Sequence, residues 1–70
     1  MNILELKREM ARQNISIPQL AEKLGVSKKL IYSRFSGKTP FTQPEICHIS
    51  KILQLDNNAI MRIFFSPKVS

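Results

Sequence analysis

This chain of 70 residues holds one cysteine and one histidine. A single thiol forbids an internal disulfide and excludes a cysteine zinc cluster. Cys47 and His48 are adjacent, so on a helix they point in different directions, and the further donors that a metal site needs are not spaced to supply one. The expected state is a packed thiol and an exposed imidazole. A nucleophile, base and orienting acid cannot be assembled from one His, one Cys and scattered carboxylates, and no Gly-rich phosphate loop is present. Neither catalysis nor a metal or cofactor is therefore expected. No apolar run approaches the roughly 20 residues that span a bilayer, and the N-terminus lacks a signal-peptide core. Alternating apolar patterns are missing too, and Pro40 and Pro44 exclude a central strand. The chain reads as all-α and cytoplasmic, with no small-molecule substrate and no membrane role.

Acid is also scarce. Eleven Lys and Arg stand against five Asp and Glu, giving a formal net charge of +6 and a pI near 10.0. An excess of this kind points to an anionic partner. Its distribution sharpens the reading: Lys23, Lys28, Lys29, Arg34 and Lys38 fall in the stretch from Lys23 to Pro44, which contains no acid. The hydrophobic share of 43% suffices for one core, so residues 1–70 are read as a single small domain. A domain this short stays marginal unless it packs well or associates.

Five short helices follow from caps and periodicity. Residues 2 to 13 form the first, with Asn2 as cap, Ile3, Leu6 and Met10 on one face, and Asn14 closing it. Ser16 caps the second, with Gln19 completing a capping box and Pro18 in the first turn. Leu20, Ala21 and Leu24 share its inner face, and Gly25 is suited to the left-handed backbone that ends a helix. Ser27 caps the third helix, Lys28 to Phe35, whose Ile31 faces back toward Leu20 and Leu24. Thr42 and Glu45 repeat the capping box with Pro44 inside it, Phe41 stands as a hydrophobic staple to Ile46, and the fourth helix runs from Gln43 to about Leu53. Asp56 caps the fifth, Asn57 to Phe65, and residues 66–70 read as a frayed tail. Phe64 and Phe65 cannot both face the core fully, so an apolar patch drawn from Ile60, Met61, Phe64 and Phe65 is a candidate dimer interface.

The residues S16-x-x-Q19-L20-A21-x-x-L24-G25-V26-S27-x-x-x-I31, S36-G37-K38 and T42-x-x-E45-I46-x-x-I49-x-x-x-L53 carry a resemblance to the phage-type helix-turn-helix regulators. These are the Cro and repressor group of the xenobiotic-response-element family, and the likeness covers nearly everything from Ile3 to Phe65. It implies a compact, lambda-repressor-like bundle in which helices two and three form the helix-turn-helix. It also implies a homodimer on a double-stranded DNA operator, free in the cytoplasm and nucleoid-associated when bound. Carried onto this chain, Lys28, Lys29, Tyr32 and Ser33 would meet base edges, while Ser16, Ile17, Gly37 and Lys38 would hold phosphates. Ser27 and Arg34 join the expected phosphate set.

Two positions depart from the family pattern. Relatives often pair an arginine late in helix one with a glutamate before the glycine that follows helix three; here Met10 and Phe35 stand there, an exchange of both partners that keeps the contact apolar. Ile17 replaces a glutamine, leaving only its backbone amide to reach a phosphate. The expected function is a sequence-specific transcriptional regulator, a phage or prophage repressor whose third helix enters the major groove. The alternative is a protein-interaction module (antitoxin, antirepressor or adaptor) that keeps the fold without an operator. Two lysines, a tyrosine and a serine on helix three favour the first.

Overall fold

Asparagine, serine, threonine or aspartate stands immediately before each helix of the computed structural model, which describes residues 1–65. Over those residues the chain forms α1 (Ile3–Arg12), α2 (Ile17–Leu24), α3 (Lys28–Phe35), α4 (Gln43–Ile52) and α5 (Asn57–Phe64). The side chains of Asn2, Ser16, Ser27, Thr42 and Asp56 each accept the amide three residues on, satisfying one donor that the first turn leaves open. Both expected capping boxes form: Gln19 Oε1 accepts from Ser16 N at 2.8 Å and Glu45 Oε1 from Thr42 N at 2.9 Å. Helices four and five end one residue earlier than the sequence suggests, with Leu53 and Phe65 as C-caps. The tail at 66–70 lies outside the described residues.

Three helices stop in the same way. Asn14, Gly25 and Gln54 take positive φ of 60°, 75° and 54°. Their amides bond to Ala11, Glu22 and Lys51, and the next amides, of Ile15, Val26 and Leu55, reach back to Met10, Ala21 and Ser50 at 2.9–3.0 Å. This is the Schellman arrangement, in which an apolar residue follows the left-handed one. Ile15, Val26 and Leu55 all pack against the core, so each stop also aims the chain into the next helix.

The core draws on every helix. Leu6, Leu20, Ile49 and Ile63 are fully buried, with Ile31 and Leu53 at 1% exposure. α2 packs on α3 and α4, and α1 on α5. Met10 and Phe35 are both buried in the same cluster, in keeping with the apolar exchange read there. The Phe41 ring packs edge-on against Phe35 at 5.6 Å and against Phe64 at 6.2 Å. A chain of three aromatics thus joins the end of α3, the following loop and α5. Ser50, the small residue expected at a close approach, is buried and returns its hydroxyl to Ile46 O at 2.7 Å. No helix among the described residues is long and apolar enough to cross a membrane.

Candidate nucleic-acid interface

The turn at Gly25–Ser27 leaves the first turn of α3 outermost. Ser27, Lys28, Lys29 and Tyr32 are exposed, Tyr32 by 49%, while Ile31 and Phe35 on the opposite side anchor the helix in the core. Ser27 Oγ accepts from Leu30 N at 3.1 Å, and the amides of Lys28 and Lys29 bond to no group among the described residues. Lys29, Tyr32, Ser33, Ser36 and Lys38 line a shallow concavity of about 360 Å³ along α3 and the loop after it. Ser33 is part-buried, its hydroxyl 3.3 Å from that of Thr39, and Ser36 Oγ donates to Ser33 O at 2.9 Å. Ser33 therefore ties the loop to the helix, besides lining that hollow.

The two capping boxes leave matching gaps. At the start of α2, Ser16 N and Gln19 N are taken by the box and Pro18 has no amide hydrogen, so the Ile17 amide is left without a bond among the described residues. At the start of α4 the same accounting leaves the Gln43 amide. Each helix presents one open donor at the positive end of its dipole, a geometry suited to an anion. Gly37, at φ 85°, and Lys38 are exposed beside α3.

Charge is divided by residue type. Arg8 and Arg12 pair with Glu5 and Glu9 along α1, Arg62 reaches Glu5 from α5, and Arg34 reaches Glu45. No lysine among the described residues is in a salt bridge. Arg34, expected on a phosphate, instead forks onto Glu45: Nε to Oε1 at 3.0 Å and Nη2 to Oε2 at 3.1 Å, with side chains 14% and 16% exposed. Burial pushes the Glu45 carboxyl up, but the bonds from Arg34 and Thr42 outweigh it and hold the group below the usual glutamate range. Residue-by-residue reading missed this pair, because its partners lie on different helices.

The C-terminal patch is smaller than expected. Phe64 is 6% exposed and belongs to the core against Phe41, so it drops out of the interface candidates. Met61 and Phe65 face solvent at 57% and 46%, and Ile60 is half-buried. Ile46, Cys47, Leu55, Ile60 and Phe65 line an apolar concavity of about 700 Å³ between α4 and α5. His48 is exposed as expected, but the Cys47 thiol is exposed rather than packed, because it lies on the rim of that concavity and not in the core.

The helix-turn-helix family model HTH_3 matches residues 4–56, from α1 to the cap of α5. Comparison with curated proteins and with solved structures gives no match.

Proposed function

The chain belongs to the HTH_3 helix-turn-helix family, a family of DNA-binding regulators, and from that membership we propose that it is a sequence-specific transcriptional regulator of the phage or prophage repressor type. In this reading α3 enters the major groove of a double-stranded operator in the cytoplasm. The observation that carries it is the exposed, unpaired first turn of α3, with Lys28 and Lys29 side by side at its start. Lysines there can donate to guanine O6 and N7, each good base contact discriminating by about 1–3 kcal/mol. Tyr32 offers a ring edge to a thymine methyl, or its hydroxyl to a phosphate. The open amides of Ile17 and Gln43 hold phosphates on either side, with Ser16, Ser27, Gly37 and Lys38 contributing to orientation without reading sequence.

A homodimer fits the same scheme. Exposed Met61 on α5, and Phe65 at the rim of the α4–α5 concavity, offer apolar surface that a second copy would cover, and two copies would match an operator with two related halves.

Selection of bound duplex from a random pool tests this reading directly. A short enriched motif is expected, followed by a larger affinity loss on the selected site than on random duplex for Lys28→Ala and Lys29→Ala, about tenfold or more each on the selected site. Failure to enrich any motif overturns the proposal. Equal losses on both duplexes would move the two lysines to the backbone.

A further inference from the structure

Arg34 and Glu45 connect the two elements that the proposed function needs to act together. Arg34 is the seventh of eight residues in α3, and Glu45 is the third of α4. The main helix neighbour of α3 is α2, whereas this pair reaches α4 directly. Glu45 Oε1 receives two donors, Arg34 Nε and Thr42 N, and Oε2 receives Arg34 Nη2. One carboxylate thus closes the cap of α4 and grips the guanidinium of α3. A two-pronged fork fixes angle as well as distance, and with both side chains about six-sevenths buried, solvent does little to loosen it.

The pair also settles an electrostatic conflict. The Glu45 carboxylate sits in the first turn of α4, next to the open Gln43 amide. Alone, a negative charge there would repel a phosphate approaching that amide. Arg34 neutralises it in place.

We propose that the Arg34–Glu45 ion pair is a positioning device that locks α3 against the N-terminus of α4, so that the base-facing side of α3 and the phosphate-facing amide of α4 meet one duplex in register. The inference rests on the DNA-binding reading above. Base contacts demand placement within about 0.5 Å, whereas flexible lysines follow a phosphate over larger displacements. A loosened α3 therefore loses discrimination before it loses attraction. Arg34 acts through α3, not as a ligand of its own.

The test uses Glu45→Gln, which keeps an oxygen for the Thr42 amide, together with Arg34→Met and the double variant, all at a temperature where circular dichroism shows them folded. Affinity is read by fluorescence anisotropy on the duplex selected by the unaltered protein and on a scrambled duplex of the same composition, across salt. Amide hydrogen exchange is followed on the free proteins. Each single variant is expected to lower the selected-to-scrambled affinity ratio about tenfold, with the double variant no worse than the weaker single and, both charges being gone, its salt slope on scrambled duplex unchanged. In the free proteins, amides of α3 should exchange several-fold faster while those of α1 hold. If the double variant, in which neither charge remains, weakens both duplexes alike and flattens the salt slope by about one unit, Arg34 is a phosphate ligand and the proposal is overturned. Unchanged ratio and unchanged α3 exchange in Glu45→Gln overturn it as well, and leave the DNA reading standing. Absence of any selected site with the unaltered protein overturns the DNA reading itself, and the positioning role with it.

Discussion

Gln54 occupies a backbone position that its side chain does not favour, and replacing it should stabilise the protein. Three Schellman stops in this chain use Asn14, Gly25 and Gln54 at nearly the same dihedral angles. Glycine enters the left-handed region freely and asparagine does so with local help, but glutamine has no such help. An L-residue held there costs about 1–2 kcal/mol, and glycine gives back about 0.4–1 kcal/mol through its freer unfolded chain. The side chain of Gln54 is exposed, on the rim of the α4–α5 concavity, and holds no other group in place among the described residues. Gln54→Gly should therefore gain about 0.5–1 kcal/mol, raising the melting temperature by about 3–6 °C for a domain of this size. Thermal melts followed by circular dichroism, with a urea series beside them, measure it. Gly25→Gln is the mirror experiment. A Cβ at Gly25 meets nothing within 4 Å, so its cost is conformational alone and should match the gain in size with the opposite sign. A Gln54→Gly variant that melts at or below the parent temperature would refute the reasoning.

Two further outcomes follow from the side chains around the helix ends. Glu45 is held below the ordinary glutamate value of about 4.3, so the stability it adds is complete above that value and disappears as pH falls through the lower, folded one; denaturant midpoints of the parent and Glu45→Gln should converge on acidification, and a constant gap would contradict the assignment. Met61→Ser with Phe65→Ser should shift sedimentation toward the monomer and weaken a two-half operator more than a half-site, if the α4–α5 surface holds a second copy.

Caps were legible in the sequence because capping is chemistry over three residues. Ser16 with Gln19, and Thr42 with Glu45, need no tertiary information, and they place the starts of α2 and α4. Gly25 announced the left-handed stop, but Gln54 did not: its residue type carries no such signal, and the motif shows only in the bonds of Gln54 and Leu55 to Lys51 and Ser50. The Phe64–Phe65 ambiguity had the same root. Helical phase says that one ring turns out, and which one depends on where Phe41 lies. The Arg34–Glu45 fork was least legible, since eleven residues and a loop separate its partners. Sequence marked Arg34 as basic and available; packing made it internal.

That reassignment changes what the net charge means. Four arginines hold carboxylates, and the lysines among the described residues stand apart from them. The division suits the two side chains. A planar guanidinium matches a carboxylate with two bonds, whereas an ammonium on a flexible stem keeps its hydration until a phosphate arrives. Between residues 23 and 38 the uncommitted cations are then Lys23, Lys28, Lys29 and Lys38. Each phosphate neutralised on duplex DNA contributes about −0.9 to the slope of log affinity against log salt, so the stretch allows at most about −3.6 per protomer. Titration of random duplex across salt measures this slope. A distinctly steeper value that Arg34→Met brings back to this limit would mean that Arg34 leaves Glu45 for the backbone.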